Sequence, residues 1–240
     1  MDLSGAVVLI TGAGGGIGQA ATRAFVAAGA AKVYAATRVV GAEVGLADER
    51  VVPIHLDVTD QASIDTAVKA CGDVTVLVNN AGVNFNAPVL GADDADWARR
   101  EIEVNYLGTL AVTRAFAPIV GANGGGAVLN VLSILSRINH PGMGSYCASK
   151  AALYSSTQAV RAQLRGQGTL VCAFMPGAVD TRLTAHLPIP KMTTDDTATA
   201  MIDALRNDIE DAYPGDMATG VSAGLAADHK AVEAQFAEFI

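Results

Sequence analysis

The sequence predicts an α/β protein in which a doubly wound, Rossmann-like parallel sheet forms the middle of three α/β/α layers. Short apolar runs rich in β-branched residues alternate along the 240 residues with longer Ala- and Leu-rich segments of helical period. Most of these runs are apolar at consecutive positions, which indicates strands that are buried on both faces and covered by helices on both sides. No linker or internal repeat interrupts the alternation, so we expect a single domain over residues 1–240.

The alternation places the elements in order along the chain. Strands are expected at 6–10, 32–36, 51–56, 74–79, 127–133 and 169–175. Helices are expected between them at 17–29, 61–71, 94–117 and 146–165. Prolines interrupt the pattern after residue 175, and two further helices are expected at about 194–210 and 224–240.

Composition and charge exclude several classes of function. Hydrophobic residues make up 51% of the chain, and the formal net charge is −8 with no run of Lys or Arg, so we expect neither nucleic acid nor a membrane as a partner. The three cysteines, Cys71, Cys147 and Cys172, are not spaced as metal ligands usually are. We therefore expect neither a disulfide nor a metal site. The first residues do not resemble a signal peptide, so the expected location is the cytoplasm.

The segment TGAGGGIG (11–18) lies between the first expected strand and the first expected helix. A glycine inside an element costs roughly 0.5–1 kcal/mol relative to alanine, so a cluster of glycines needs a reason. A bare backbone lets a phosphate approach the helix N-terminus, where unpaired N–H groups and a partial positive charge favour an anion. Gly12, Gly16 and Gly18 do not follow the common G-x-G-x-x-G spacing. We expect a pyrophosphate site here, with a tight turn that binds nothing as the alternative.

Three further residues suggest acid–base chemistry on a carbonyl group. Tyr146 and Lys150 are four residues apart, so a helix places them on one face. A phenol with a pKa near 10 is a poor acid or base at neutral pH, and we expect the nearby ammonium to lower this pKa. Ser133 ends the fifth expected strand, at the edge where open α/β sheets bind ligands, and its hydroxyl can donate to a carbonyl oxygen.

Several motifs together resemble those of the short-chain dehydrogenase/reductase family. In chain order they are TGAGGGIG (11–18), DV (57–58), NNAG (79–82), VN (104–105), Ser133, YCASK (146–150) and PGAVDT (176–181). The resemblance covers residues from about 5 to 183. It implies a nicotinamide cofactor and hydride transfer between that cofactor and a carbonyl carbon.

The resemblance also implies roles for individual residues. It implies that Ser133 polarises the carbonyl, Tyr146 supplies the proton, Lys150 also binds the nicotinamide ribose and Asn105 supports a water relay. It implies further that Asp57 contacts the adenine ring, that the NNAG segment braces the sheet near the cofactor, and that Thr181 contacts the carboxamide. The full set of expected cofactor-binding residues is Gly12, Gly14, Gly16, Ile17, Gly18, Arg38, Asp57, Val58, Asn79, Ala81, Gly82, Tyr146, Lys150, Pro176, Gly177, Val179 and Thr181.

The residues after the second strand predict which nicotinamide is used. An NAD site in such folds presents an acidic residue about 20 positions beyond the glycines, whereas Thr37 and Arg38 occupy that stretch here. A guanidinium can bind a 2′-phosphate bidentately, so we expect NADP(H), with NAD(H) as the alternative. Gly15 stands at another position where family members carry a basic residue, which weakens this expectation.

The resemblance ends near residue 183, and the substrate is less well defined. About 182–213 is expected to be a short substrate-covering segment. The residues expected to line an apolar pocket are Leu135, His140, Met143 and Leu183, together with Ile134, Ile138 and Leu187. The C-terminal helix carries apolar residues at Leu225, Val232, Phe236, Phe239 and Ile240, and it can be a packed tail, an interface or a pocket wall.

The most favoured function is NADPH-dependent reduction of an apolar ketone or aldehyde. The alternatives are an NAD-dependent alcohol or diol dehydrogenase, a nucleotide-sugar epimerase or dehydratase, and a dinucleotide-binding sensor or scaffold without turnover. The chain leaves little room for the larger substrate domain of the epimerases. A homodimer is expected because the long helices 94–117 and 146–165 pair across dimers in the family, and a homotetramer is the second choice.

Overall fold

Seven parallel strands form one sheet in the order β3-β2-β1-β4-β5-β6-β7. The structure is a computed structural model that describes residues 1–91 and 96–239. The strands are β1 (Val7–Thr11), β2 (Lys32–Thr37), β3 (Val51–His55), β4 (Val76–Asn79), β5 (Gly126–Val131), β6 (Thr169–Phe174) and β7 (Asp211–Ala212). The strand order reverses at β1, so a crevice opens between the carboxyl ends of β1 and β4. The predicted fold class is confirmed.

Helices cover both faces of this sheet. They are α1 (Gly16–Ala27), α2 (Gln61–Ala70), α3 (Asp96–Glu101), α4 (Thr109–Ala122), α5 (Gly144–Leu164), α6 (Thr194–Arg206), α7 (Gly215–Ala227) and α8 (His229–Phe236). On one face, Phe25 of α1 and Met201 and Leu205 of α6 pack on inward-facing strand residues. On the other face, Ile64 of α2 and Phe116 of α4 do the same. Within the described ranges, no helix combines the length and the apolar character needed to cross a bilayer.

The helix expected at 94–117 is interrupted in its middle. Residues 94 and 95 lie outside the described residues. From α3 the chain continues as a π-helix, Ile102–Gly108, before it resumes as α4. A π-helix contains one more residue per hydrogen-bonded turn than an α-helix and is often found at functional sites. Asn105, a candidate catalytic residue, lies inside it.

The segment expected to cover the substrate is shorter than predicted. Within about 182–213, α6 is a core helix, because Met201 and Leu205 are fully buried against the sheet and α1. The two-residue strand β7, which the sequence analysis missed, then pairs with β6. Of the expected covering segment, residues 182–193 form the longest stretch outside these core elements.

The C-terminal helix expected at about 224–240 is wrong as a single element. Gly224 belongs to α7, which ends at Ala227, and the carboxylate of Asp228 then accepts from the Ala231 amide to cap α8. A Cβ on Gly224 would lie 2.9 Å from Cγ2 of Val232, so the missing side chain lets the two helices pack closely. Ile240 lies outside the described residues.

Candidate active site

The glycine turn after β1 is shaped by contacts that exclude side chains. Gly12 has φ +66°, and a Cβ there would lie 2.9 Å from Cα of Ala81. A Cβ on Gly18 would lie 2.4 Å from the carbonyl oxygen of Gly12. Gly15 forms the N-cap of α1 without a side-chain bond to the helix. The amides of the first turn of α1 therefore remain available to an anion, as the sequence predicts.

A residue that the sequence analysis did not single out braces this turn. The Asn80 amide nitrogen donates to the carbonyl oxygens of Thr11 and Gly12, at 2.9 and 3.1 Å. The Thr11 hydroxyl in turn accepts from the backbone amides of Asn80 and Ala81. These bonds tie the ends of β1 and β4 together across the crevice. The signal in the sequence was the second Asn of NNAG.

The side chain of Asn79, which we expected to help bind the cofactor, points elsewhere. It is buried, and its Nδ2 donates to Thr113 at 2.9 Å and to Asn130 at 2.8 Å. These partners place the Asn79 side chain beneath α4, on one face of the sheet, and not in the crevice at the sheet edge. The network that it forms joins β4, β5 and α4, which agrees with a bracing role for the segment.

The ends of β2 and β3 bring Arg38 and Asp57 to the same part of the sheet edge. Arg38 is exposed. The Asp57 carboxylate accepts from the Thr59 amide and hydroxyl at 2.9 and 2.7 Å. Burial opposes ionisation of Asp57, but the bonds from Thr59 and the positive charge of Arg38 hold its pKa below the usual range. Val58 packs its side chain against Gly108.

Asn105 is fully buried and joins the segment after β4 to α5. Its Oδ1 accepts from the Val83 amide at 2.8 Å, and its Nδ2 donates to the Val83 carbonyl at 2.8 Å and to Ser149 Oγ at 2.9 Å. A Cβ on Gly82 would lie 3.2 Å from Asn105 Oδ1 and 3.5 Å from Lys150 Nζ. The predicted neighbours Gly82, Asn105 and Lys150 therefore meet at one point.

Ser133 and Tyr146 lie together at the carboxyl end of β5. Ser133 follows β5 by two residues and caps a short 3₁₀ turn, where its Oγ accepts from the Leu135 amide at 3.1 Å. Tyr146 lies in the first turn of α5, and the Ser133 hydroxyl is close enough to its phenol to lower the pKa of that phenol. Lys150, one turn further along, is buried, and its Nζ donates to the Val131 carbonyl at 2.9 Å.

The expected effect of Lys150 on Tyr146 differs from what the structure shows. Burial raises the pKa of the Tyr146 phenol well above its usual value, and the nearby Ser133 hydroxyl opposes only part of this effect. Lys150 Nζ lies 5.8 Å from the centre of the Tyr146 ring and is directed at a backbone carbonyl. Burial also lowers the pKa of Lys150 to about 8, which weakens its positive charge.

The segment after β6 lies over the glycine turn. The Pro176 carbonyl accepts from the Ile134 amide at 2.9 Å, which links PGAVDT to the turn after Ser133. A Cβ on Gly16 would lie 3.5 Å from Cγ2 of Thr181 and 3.3 Å from Cγ2 of Thr194. Thr181 therefore contacts the start of α1, as expected for a residue beside the cofactor. Gly177 packs against Met217 of α7, and Val179 is buried.

The described chain matches a family model for short chain dehydrogenases over residues 6–190. The chain belongs to the short-chain dehydrogenase/reductase family. A sorbitol dehydrogenase from Cereibacter sphaeroides is 39% identical over 190 residues, which cover 75% of this chain and 73% of that protein. A 3-oxoacyl-[acyl-carrier-protein] reductase from Thermotoga maritima is 36% identical over 78% of this chain and 80% of its own length.

Solved structures of short-chain dehydrogenases agree with this assignment. A short chain dehydrogenase from Burkholderia cenocepacia in complex with NADP has a TM-score of 0.95 and 40% identity, and the match covers 98% of this chain and 99% of that one. A 3-ketoacyl-(acyl-carrier-protein) reductase from Brucella melitensis complexed with NADH has a TM-score of 0.80 and 27% identity, with 88% and 96% coverage. This short-chain dehydrogenase/reductase is therefore an NAD(P)-dependent oxidoreductase that interconverts alcohols and carbonyl compounds.

A dinucleotide fits the residues that this dehydrogenase presents at the crevice. Any side chain at Gly12 or Gly18 would strike the backbone, so the turn keeps its bare surface, and the first amides of α1 lack a side-chain cap. Arg38 offers an exposed cation at the end of β2. The residues available to hold the group are the turn 12–18, Arg38, Asp57, Lys150 and Thr181.

The residues predicted to line the substrate pocket of this dehydrogenase differ in how exposed they are. Met143 is buried, and its sulfur accepts from Asn84 Nδ2 at 3.3 Å; Leu135 is half-buried next to Ser133. Leu183 is exposed. The His140 ring stacks on Phe239, which follows α8. The C-terminal tail therefore contacts one of the expected pocket residues.

Proposed function

We propose that this enzyme reduces a ketone or aldehyde to an alcohol with NADPH, and that Tyr146 is the general acid. The observation that carries the proposal is the convergence of Ser133, Tyr146 and Lys150 at the carboxyl end of β5, beside Asn105 and Gly82. When bound, the nicotinamide supplies the hydride. The remaining steps belong to side chains of this chain.

Ser133 and Tyr146 are suited to bind and protonate a carbonyl oxygen. The Ser133 hydroxyl lies close enough to the Tyr146 phenol to influence its pKa, so a carbonyl oxygen placed beside them can accept from both. As negative charge develops on that oxygen, the phenol transfers its proton from Oη. Since burial keeps the phenol protonated through neutral pH, the state of Tyr146 suits the reduction direction.

Lys150 and Asn105 are suited to return the proton to Tyr146. The Lys150 pKa of about 8 lies near the working pH, so this amine can gain or lose a proton there. Asn105 fixes the backbone at Val83. Its Oδ1 and the Nζ of Lys150 both lie next to Gly82, which has no side chain to separate them. We propose that the four residues form one proton path, and that Tyr146→Phe abolishes turnover while the cofactor still binds.

The preference for NADPH is supported by Arg38. It is an exposed guanidinium at the end of β2, where an NAD site carries a carboxylate. Its charge lowers the pKa of Asp57, which lies two residues beyond the neighbouring strand β3. The similar enzyme from Burkholderia cenocepacia was solved with NADP, which supports the same preference.

An apolar substrate is supported by the side chains around the site. Leu135 and Met143 lie in the two 3₁₀ turns that follow β5, and Phe239 stacks on His140 at the start of the second turn. Burial lowers the pKa of His140, so its imidazole is neutral at pH 7. A second candidate function is NAD-dependent oxidation of a polyol, which the similarity to sorbitol and galactitol dehydrogenases favours.

Fluorescence titration with NADPH and with NADH is the experiment that tests the proposal. We expect NADPH to bind at least tenfold more tightly, followed by turnover of apolar ketones at a higher kcat/KM than that of small polar hydroxy-ketones. Tighter binding of NADH, together with oxidation of sorbitol or galactitol, would favour the second candidate. Binding of neither dinucleotide would overturn both.

A further inference from the structure

A buried carboxylate lies one helical turn before Asn105. Glu101 ends α3 and is fully buried. Its Oε1 accepts from the Phe85 amide at 2.7 Å, and its Oε2 accepts a short hydrogen bond from the Ser145 hydroxyl. Both oxygens therefore accept a hydrogen bond from the protein, which compensates the buried group for the loss of water. The roles proposed above for the catalytic side chains do not use this group.

The bonds of Glu101 repeat those of Asn105 one turn away. Glu101 binds the backbone of Phe85 and the side chain of Ser145, whereas Asn105 binds the backbone of Val83 and the side chain of Ser149. The two serines are four residues apart on α5 and adjacent on one helix face. The helix containing Glu101 thus joins the same two elements twice, at neighbouring levels.

Tyr146 lies between these two connections. It directly follows Ser145, and its own carbonyl accepts from the Ser149 hydroxyl at 2.7 Å. Met143 caps the start of α5 without a side-chain bond to the helix. The start of α5 is therefore held from outside, in its first turn by Glu101 at Ser145 and in its second turn by Asn105 at Ser149.

We propose that Glu101 is a positioning residue that, through Ser145 and Phe85, fixes the first turn of α5 and with it the phenol of Tyr146. The proposal rests on the function proposed above, in which Tyr146 is the general acid. Glu101 does not touch the reacting atoms, and it acts through the serine next to the tyrosine.

The charge of Glu101 also acts on Tyr146. The negative carboxylate adds to the effect of burial in raising the pKa of the phenol. Three other charged or titratable groups lie near Glu101 or Tyr146, namely Arg100, Cys147 and Lys150. Arg100 packs on the Phe85 ring, with 5.5 Å between the guanidinium carbon and the ring centre. Removal of the Glu101 charge alone should therefore favour the phenolate.

Two substitutions separate geometry from charge. Glu101→Gln keeps an acceptor for the Phe85 amide and a partner for Ser145 but has no charge. Glu101→Leu removes both bonds. Glu103→Gln is the matched control, since Glu103 is exposed two residues further along the same helix. Should the leucine variant fail to fold, Ser145→Ala takes its place under the same criterion.

For Glu101→Leu we expect kcat to fall at least about tenfold, with the KM for the ketone and the NADPH dissociation constant within threefold of wild type. For Glu101→Gln we expect kcat within threefold of wild type, because the side-chain amide keeps a partner for both the Phe85 amide and the Ser145 hydroxyl. The control should also keep kcat within threefold of wild type. A leucine variant that keeps kcat within threefold, or a glutamine variant that loses as much kcat as the leucine variant, overturns the proposal.

Hydrogen exchange tests the same inference without a substrate. The amides of residues 144–148 should exchange faster in Glu101→Leu than in wild type and be unchanged in Glu103→Gln. Unchanged exchange in the leucine variant also overturns the proposal. A wild-type protein that binds no dinucleotide would instead overturn the proposed function, and the exchange result would still decide whether Glu101 holds the first turn of α5.

Discussion

The ring of Phe239 stacks on the imidazole of His140, with 5.3 Å between the ring centres and 15° between the planes. Phe236 packs against the edge of Phe239, so the end of α8 holds the stacked ring in place. His140 begins the 3₁₀ turn that leads into α5, and its amide donates to the Cys147 sulfur at 3.3 Å. The tail therefore contacts the segment that carries Tyr146.

We expect Phe239→Ala to weaken binding of a bulky apolar ketone. Phe239 is 53% exposed, so its removal should cost little stability, but it removes one wall beside His140. The KM for the ketone should rise about fivefold, with kcat and the NADPH dissociation constant nearly unchanged. Steady-state kinetics measure this, and Phe239→Tyr, which keeps the ring, is the control. An unchanged KM in the alanine variant would exclude Phe239 from the pocket.

We expect Arg38→Asp to reverse the cofactor preference. A carboxylate at this position repels a 2′-phosphate and can accept from a ribose hydroxyl. The ratio of the NADH to the NADPH dissociation constants should fall at least about a hundredfold, as measured by fluorescence titration. Arg114→Asp makes the same charge change at an exposed site on α4 and serves as the control. A ratio that does not change would show that Arg38 plays no part in recognition.

We expect Gly18→Ala to damage the glycine turn and Gly15→Ala to spare it. A Cβ on Gly18 would lie 2.4 Å from the Gly12 carbonyl oxygen and 2.7 Å from Cα of Ala13, whereas one on Gly15 meets its nearest atom at 3.5 Å. The Gly18 variant should lower Tm by several degrees and weaken NADPH binding at least tenfold. The Gly15 variant should keep Tm within about two degrees. Equal Tm values would contradict the crowding that the structure shows.

We expect the cost of burying Lys150 to depend on pH. Its pKa of about 8 in the folded protein lies below its value of about 10.4 in the unfolded chain, so between these pH values the unfolded chain binds more protons. The stability of the wild type relative to Lys150→Met should therefore rise between pH 7 and 10, by up to about 3 kcal/mol. Urea unfolding at several pH values measures this.

Lys69→Met, at an exposed position on α2, is the control for this series. Its stability relative to wild type should change little over the same pH range. Parallel pH profiles for wild type and Lys150→Met would show that Lys150 keeps its usual pKa in the folded protein.

Much of the fold was predictable because the apolar runs are local signals. Each of the six expected strands lies within two residues of an observed one. The strand β7 was missed because two residues carry no periodicity. The helix expected at about 224–240 did not include most of α7 (Gly215–Ala227). It also missed the break at Asp228, where a cap separates two segments that are both helical.

The sequence predicted the site residues that belong to a recognisable motif. It did not predict those that reach the site only through tertiary packing. Tyr146, Lys150 and Ser133 meet as expected at the end of β5. Glu101 was missed because its partners lie 16 and 44 residues away in sequence. The rise of the Tyr146 pKa was missed because spacing along a helix says nothing about burial. The sequence analysis assigned the cofactor role to Asn79, although it is Asn80 whose side chain contacts the glycine turn. The sequence does not show at which of the two residues the strand ends.

The π-helix 102–108 determines how α3 is rotated about the helix axis relative to α4. One residue of an α-helix corresponds to a rotation of about 100° about the helix axis. Insertion or deletion of one residue in the π-helix would therefore rotate α3 by that angle relative to α4. Deletion of one residue between Glu101 and Asn105 would give a smooth helix that still packs on the sheet. Glu101 would then face another direction, away from Ser145. A single deletion in this segment would therefore disconnect Glu101 from Ser145 without altering either of these two residues.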